Sequence, residues 1–204
     1  MASGGSGQGS SNPTRYNLSQ FRGLAGFDVP KRLVISAVYT VPLKTGNRIV
    51  NGIVSNWSVS GISSFDSGLP YTVFLSSDNA NIGTVANRYT EFPNLVGDPN
   101  AVTNRSTFRW FNTQAFALPP AFTFGNAGRN IMRAQHFRNL DLTIFKNWPV
   151  LEKRSLELRG EAFDLTNTTT FNPPNALLGT AVYGTITSVR NSGRQVQVAM
   201  KFHF

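Results

Sequence analysis

The chain ends in Arg194-Gln195-Val196-Gln197-Val198-Ala199-Met200-Lys201-Phe202-His203-Phe204, and this stretch carries the clearest structural signal in the sequence. Every second residue from Val196 to Phe204 is apolar, whereas the intervening residues are polar except Ala199. Because the side chains of a strand point alternately to its two faces, the pattern predicts a β-strand with one apolar and one polar face. The stretch also has about the 9–11 residues that a tilted strand needs to cross a bilayer.

Similar alternation predicts four further strands upstream. They span residues 31–41, 54–66, 138–148 and 154–165. Val, Ile, Thr, Phe and Tyr are frequent throughout, between turn-forming Gly, Pro, Asn and Asp, and no segment favours a helix. We therefore expect an all-β fold: an antiparallel transmembrane β-barrel segment of about five strands with long extracellular loops.

Two of these strands have uncertain ends. The apolar pattern of 154–165 changes parity after Ala162, which predicts a β-bulge. The strand at 54–66 pauses at residues 67–70, and a continuation through 71–75 stays open.

The connections between the strands alternate in length. Residues 42–53 and 149–153 are short, whereas 76–136 and 166–192 are long and lack strong periodicity. Outer-membrane barrels have short periplasmic turns and long extracellular loops, so the alternation fits a C-terminus on the periplasmic side. Within these connections we expect a tight turn at residues 148–152, and a short hairpin at 183–189 stays open.

Composition separates this chain from ordinary soluble domains. Charged residues make up 14% of the sequence, against about 25% in soluble domains. The net charge is +9, but the basic residues are scattered singly and are not interleaved with stacking aromatics, so we expect no nucleic-acid partner. The absence of cysteine excludes disulfides and thiolate metal sites. The sequence also contains no run of about 18 apolar residues, which is the length that a transmembrane helix needs.

The residue patterns of enzymes and metal sites are missing. Ser67-Gly68 lacks the nucleophile-elbow pattern, and the Gly-rich N-terminus lacks the Lys-Ser/Thr of a phosphate loop. His136 and His203 are isolated, with no clustered carboxylates. We therefore expect no catalytic residue, no metal and no cofactor.

The chain divides by composition into two parts. Residues 1–29 are a flexible Gly/Ser-rich segment and loop, and residues 30–204 form the barrel part, which includes the long extracellular loop 76–136. No signal peptide is visible, although an outer-membrane protein must be exported. The sequence therefore predicts a C-terminal fragment of a longer protein.

Alternating charges on the fourth strand are the first candidate site. Glu157, Arg159 and Glu161 share one face, and each would cost ~2–4 kcal/mol if it faced lipid near the midplane. They therefore face an aqueous interior or bulk solvent, as do Asp66 and Asp141 on neighbouring strands. These five residues either contact a plug or a passing ligand, or they form a salt-bridged wall with no selective role.

Aromatic residues and arginines in the long loop are the second candidate site. Arg109, Trp110, Phe111 and Arg129 suit ligand capture or contact with lipopolysaccharide. The alternative is that the aromatic side chains pack the loop onto itself.

Several short motifs, taken in order, resemble a known family. They include Trp57-Ser58-Val59-Ser60-Gly61 and Ser67-Gly68-Leu69-Pro70-Tyr71, together with residues 27–33, 93–99, 110–112, 115–116, 124–130, 139–147, 159–167 and the terminal strand. Their order and spacing from residue 15 to 204 resemble the C-terminal barrel portion of TonB-dependent receptors, in particular the Oar-like group. The terminal Phe202 and Phe204 are similar to the signal that bacterial outer-membrane barrels present during insertion.

The resemblance implies a role in energised uptake across the outer membrane. Members of the family are 22-stranded barrels with a plugged lumen, driven by TonB through an N-terminal box. The implied partners are outer-membrane lipid and lipopolysaccharide, the barrel assembly machinery, and the TonB complex only through the missing N-terminal region. Two alternatives stay open: a secreted soluble β-sandwich or adhesin that binds polysaccharide through aromatic loops, and a porin or other passive barrel.

Overall fold

A computed structural model describes residues 18–83, 91–151 and 154–204. In chain order its elements are the 3-10 helix Leu18–Phe21, β1 (Arg32–Thr40), α1 (Arg48–Val54), β2 (Trp57–Asp66), β3 (Pro70–Tyr71), β4 (Phe74–Leu75), β5 (Asn94–Leu95), the 3-10 helix Thr113–Ala115, β6 (Phe116–Ala117), β7 (Met132–Arg133), β8 (Phe137–Leu151), β9 (Arg154–Phe163), β10 (Leu177–Leu178) and β11 (Gln195–His203). None of the helices described is long and apolar enough to cross a membrane. The predicted flexible segment lies outside the described residues as far as residue 17.

The chain forms two compact units. The sheet unit comprises Lys31–Asp66, Phe137–Thr169 and Asn191–Phe204, and the loop unit comprises the described residues of 1–30, 67–136 and 170–190. In the sheet unit, β1, β2, β8, β9 and β11 form one antiparallel sheet in that order. The five strands expected from the alternation are therefore confirmed, and so is the all-β, antiparallel class.

The strand register separates the two faces of this sheet. Val59 lies opposite Ile144, Ile144 opposite Gly160, and Gly160 opposite Val198, so one face collects the apolar rows of neighbouring strands. We call it the apolar face; its members include Leu33, Ile35, Val59, Leu142, Ile144, Leu158, Val196, Val198, Met200 and Phe202. The opposite polar face carries Ser60, Asp141, Thr143, Glu157, Arg159, Glu161, Gln197 and Lys201. On the last strand the apolar face is bare, with Val198 75% exposed.

The loop unit has a hydrophobic core of its own. All the buried apolar residues of the described chain belong to it: Tyr71, Val73, Phe74, Leu75, Phe92, Phe111, Ala115, Phe116, Ala127 and Met132. Its pairings are two residues long, antiparallel for β3–β7 and β5–β6 and parallel for β4–β10. Aromatic contacts join them, as between Phe74 and Phe92, whose ring centroids are 5.3 Å apart. At Gly125 a Cβ would collide with the backbone of Phe92 and Pro93, so the chain needs glycine there.

The expectation of a helix-free chain is wrong at α1. The side chain of Asn47 caps this helix by accepting hydrogen bonds from the backbone N–H groups of Ile49 (3.0 Å) and Val50 (3.3 Å). Seven residues are too few for a helix that is stable alone, and Gly52 lowers helix propensity further. The helix therefore depends on contacts from the strands, which local sequence does not reveal.

Two strand ends differ from the expectation. Strand β2 ends at Asp66, so the continuation of this strand through 71–75 is wrong. Residues 71–75 contribute instead to β3 and β4, which pair with β7 and β10. The tight turn predicted at 148–152 is wrong for residues 148–151, because these residues belong to β8. The register of β8 becomes irregular after Pro149. Glu152 lies outside the described residues. The last pairing of β8 with β2 is at Lys146, so Pro149 removes no donor on that side.

Two smaller features also differ. The predicted bulge is absent from the register of β9 with β11, since Phe163 still pairs with Gln195 and β9 then ends. The chain turns away at Asp164, which adopts a left-handed conformation with φ 49°. The hairpin considered for residues 183–189 is also wrong, because Val189 makes a single bridge to Phe171.

Candidate functional site

A charged network occupies the polar face of β9. The guanidinium of Arg159 donates to Glu157 Oε1 at 2.9 Å on one side and to Glu161 Oε1 at 3.4 Å on the other. Because strand residues two apart share a face, the alternation seen in the sequence places the three charges in this row. The carboxylates are largely covered, whereas the side chain of Arg159 is 41% exposed. The three predicted residues therefore lie together.

Neighbouring strands complete the network. Lys201 lies opposite Glu157, and the side-chain amide of Gln197 donates to Glu161 Oε2. On the other side, Arg159 lies over the ring of Phe145, 5.6 Å from its centroid. Sequence analysis missed these three partners, although the parity of the last strand, combined with antiparallel register, would have indicated Lys201 and Gln197.

The two aspartates predicted for the same face do not join this network. Asp66 pairs with Arg32 across β1 and β2 at 3.3 Å, and it lies opposite Phe137 at the start of β8. Asp141 Oδ1 accepts a hydrogen bond from the backbone N–H of Asp164 at 2.9 Å, which fixes the turn that follows β9. Both aspartates therefore have structural partners near the end of the sheet from which the long connections leave.

The energetics favour an aqueous environment for the polar face. Partly exposed ion pairs such as Arg159–Glu157 contribute about 0–1 kcal/mol each, whereas a charge facing lipid near the midplane costs ~2–4 kcal/mol. Pairing cannot offset that cost for each of the charged groups. The row can instead exchange hydrogen bonds with water, a polar solute or another polypeptide segment.

In the loop unit, the predicted contact residues have different environments. Phe111 is 1% exposed and packs against Phe116 and Tyr183, with ring centroids 6.0 and 5.3 Å away. It therefore belongs to the core, as the packing alternative predicts. Trp110 is partly buried; its ring packs edge-on against Phe171 at 6.0 Å and lies under the guanidinium of Arg105.

The two predicted arginines, Arg109 and Arg129, lie in different surroundings. Arg109 is exposed and its backbone pairs with Ser106, whereas the carbonyl oxygen of Arg129 abuts Gly23, where a Cβ would collide with it. Arg105, a third arginine of the same loop, is the one that contacts Trp110.

Among the buried polar atoms of the loop unit that lack a hydrogen-bond partner in the described residues are Tyr71 Oη, Trp110 Nε1 and Tyr183 Oη. Burial raises the pKa of both Tyr71 and Tyr183, so both phenols are neutral at physiological pH. All three atoms are hydrogen-bond donors, and both tyrosines are close to Phe111. The donors near Trp110 could therefore satisfy a polar ligand or a buried water.

A carboxyl pair lies elsewhere in the loop unit. Glu91 is buried, and its Oε2 accepts from the backbone N–H of Ala80 at 3.0 Å. Burial, with the nearby Asp78 carboxyl as a second cause, raises the pKa of Glu91 to about 7. Asp78 itself accepts from the backbone of Ile82 and Gly83. Within the described part of the chain, no group of three or more His, Cys, Asp or Glu side chains could hold a metal ion.

The predicted assembly residues lie at the end of β11. Phe202 is on the apolar face opposite Leu156, and the ring of Phe204 stacks on it with centroids 6.3 Å apart. Phe204 is 95% exposed. The chain therefore ends in a pair of accessible aromatic rings on its last strand.

Comparison with known proteins supplies an independent observation. A family model for an outer membrane beta barrel domain matches residues 1–197. Neither the comparison with curated proteins nor that with solved structures gives a match.

Proposed function

The chain belongs to the outer membrane β-barrel domain family, and from this premise we propose that it supplies wall strands of a TonB-dependent receptor. The chain is located in the outer membrane, as expected from the terminal strand. The proposed role is energised uptake of a ligand across that membrane, as the resemblance of the short motifs to the Oar-like group implies.

One observation carries the proposal: the sheet separates an exposed apolar face from a face with a paired charge network. The first suits lipid and the second suits a water-filled interior. In the proposed receptor, Glu157, Arg159 and Glu161 face the lumen, where a plug or a passing solute would exchange hydrogen bonds with them. The order of the short motifs along the chain supports a receptor over other barrels.

The proposed partners follow from the two faces and the loops. Lipid contacts the apolar face, lipopolysaccharide and the ligand contact the loop unit, and the barrel assembly machinery recognises Phe202 and Phe204. Contact with TonB would fall to a plug and a TonB box, which the matching motifs do not include. We propose no catalytic role and no nucleic-acid partner.

The soluble β-sandwich or adhesin is not retained. A sandwich covers the apolar face of one sheet with that of another, whereas here apolar-face residues of the outer strands, such as Leu33, Ile35 and Val198, remain exposed. Location in the outer membrane also excludes a secreted protein. A passive pore remains the competing function, because it would show the same two faces.

Conductance separates the two remaining functions. We would reconstitute the outer-membrane protein that contains this chain in planar bilayers bathed in potassium chloride. A plugged receptor is expected to pass no steady current and to bind the purified periplasmic domain of TonB in a co-sedimentation assay. A sustained open-channel current, or no binding to TonB, would assign a passive pore instead.

A further inference from the structure

Lys146 is a charged residue on the apolar face, and α1 covers it. By register it lies opposite Trp57, and its side chain is almost fully buried. Its Nζ donates to the carbonyl oxygen of Ile53 at 2.9 Å and to that of Ser55. The same ammonium lies 5.2 and 5.1 Å from the ring centroids of Trp57 and Trp148. Carbonyl oxygens and aromatic faces therefore surround the charge on this side of the sheet.

The two tryptophans also hold the C-terminal end of α1. The indole N–H of Trp57 donates to the carbonyl of Ile53, and that of Trp148 to the carbonyl of Gly52, each at 2.9 Å. The last carbonyls of a helix have no partner within the helix, so these donors satisfy them. Because the tryptophans and Lys146 project from the apolar face, this end of α1 lies on the apolar face and not over the polar one.

The outward side of α1 is apolar and uncovered. Ile49 is 78% and Ile53 65% exposed, and Val50 beside them is also exposed. Residues one and four positions after Ile49 lie within one side of a helix, so the three side chains form a continuous strip. Leu43, just before the helix, is exposed as well. The strip continues the apolar face of the sheet, which contacts lipid.

The charged residues around this strip are all basic. Lys44 and Arg48 are exposed, and residues 41–56 contain no Asp or Glu. A segment with apolar side chains on one side and basic residues beside them suits the boundary between lipid headgroups and acyl chains. Tryptophans such as Trp57 and Trp148 are enriched at the same level of membrane proteins.

The position of α1 along the sheet identifies the leaflet. The short connection that contains α1 and the short one between β8 and β9 lie at one end of the sheet, and both long connections leave from the other end. Short turns of outer-membrane barrels are periplasmic. The leaflet at this end is therefore the periplasmic one, whose lipids are phospholipids.

We propose that residues 43–54 form an interfacial anchor that docks on the periplasmic leaflet. In this anchor Ile49, Val50 and Ile53 insert between the headgroups, and Lys44 and Arg48 bind the phosphates of anionic phospholipids. The anchor requires membrane location and the strand orientation given above, but not uptake of any ligand. A failed conductance or TonB-binding test would therefore leave it unaffected.

Lipid-borne quenchers test the insertion. The outer-membrane protein that contains the chain is reconstituted in phosphatidylethanolamine–phosphatidylglycerol vesicles with one environment-sensitive fluorophore on Ile49→Cys or Ile53→Cys; this chain has no other cysteine. A label on Phe108→Cys, whose side chain is 85% exposed in the loop unit, is the matched control. Phospholipid with a nitroxide near the headgroup is expected to quench both helix labels strongly and the control label weakly.

A second arm tests the charge preference. Nitroxide-labelled phosphatidylglycerol is expected to bind near the Ile49 label more tightly than labelled phosphatidylcholine, by about fivefold for each basic residue. The pair Lys44→Gln and Arg48→Gln should abolish the preference, whereas Lys31→Gln, at the other end of β1, should preserve it. Heat-modifiable migration verifies that every variant is folded.

Three results would overturn the anchor. Helix labels quenched no more than the Phe108 label would place α1 outside the lipid. Equal quenching by the two lipids would remove the anionic preference. Self-quenching between two labelled copies, without quenching by lipid, would assign the strip to a protein interface.

Discussion

The loop unit and the sheet unit use the same kinds of side chain and place them in opposite ways. In the loop unit, aromatic residues such as Phe92 and Phe111 are buried against one another, as in a water-soluble domain. In the sheet unit, Val196, Val198 and Met200 point outward with little cover. The difference shows that the two units are adapted to different surroundings. Water drives burial of apolar surface in the loop unit, whereas lipid makes that burial unnecessary for the sheet unit.

The largest expected effect is a loss of stability in the loop unit. Phe111→Ala removes a ring from the centre of the loop core and should destabilise the loop unit by about 3–5 kcal/mol. Native-state hydrogen exchange across residues 67–136 measures this loss. Phe108→Ala, at an exposed ring in the same unit, should leave protection almost unchanged. Similar losses for the two variants would mean that the loop unit has no true core.

Assembly of the sheet unit should be sensitive to a charge placed on its apolar face. Leu142→Arg places a cation on the apolar face and should cost ~2–4 kcal/mol near the membrane midplane, which blocks assembly. Thr143→Arg is the matched control, because the neighbouring residue faces the polar side opposite Glu161. The measurement is the fraction of heat-modifiable protein in the outer-membrane fraction. Equal behaviour of the two variants would refute the assignment of the faces.

A pH series sharpens the contrast, because the loop unit contains a buried carboxyl group, Glu91, whose pKa is raised. The folded state raises the pKa of Glu91 from 4.5 to about 7, so it holds this proton more tightly than the unfolded chain. The resulting stabilisation is complete below about pH 4.5 and is lost as pH rises through about 7, a change of roughly 1–2 kcal/mol. Protection from exchange in the loop unit should therefore fall between pH 5 and pH 8.

Glu91→Gln provides the control for this series. The neutral amide cannot titrate, so the fall in protection should disappear in the variant. A pH dependence that persists in Glu91→Gln would assign the effect to another group.

The smallest thermodynamic effect is expected at the last residue. Deletion of Phe204 removes an exposed ring that stacks on Phe202, so the stability of the assembled sheet should change little. The amount that reaches the membrane should change instead: we expect less of the protein in the outer membrane, measured by quantitative immunoblotting of membrane fractions. Phe204→Trp, which keeps an aromatic end, should restore the level. Unchanged levels after the deletion would remove the residue from the assembly signal.

How far the sequence predicted this structure depends on how local each signal is. Strand faces were predictable because their signal is a two-residue period: Leu142 and Thr143 take opposite faces in the sheet as they do in the pattern. The charged row of Glu157, Arg159 and Glu161 was predictable for the same reason. In contrast, α1 is stabilised by Trp57, Lys146 and Trp148, which are distant in sequence or belong to strands.

The loop unit was harder to predict, because its order comes from tertiary packing. Its paired strands are only two residues long, which is too short for an alternation of apolar and polar residues to predict them. Phe111 and Trp110 are adjacent in a stretch that suits either packing or ligand contact, and only the tertiary structure separates the buried ring from the partly open one. The contact of Arg105 with Trp110 likewise follows from the path of the loop.

The odd number of strands in the sheet limits how a closed ring can be completed. Neighbours alternate in direction across five strands, so β1 and β11, the two outer strands, run the same way. Joining them directly would create a parallel seam, and so would a ring made from copies of this sheet placed head to tail. A cylinder that is antiparallel at every junction has an even strand count. It must therefore contain an odd number of strands besides these five, whichever polypeptide contributes them.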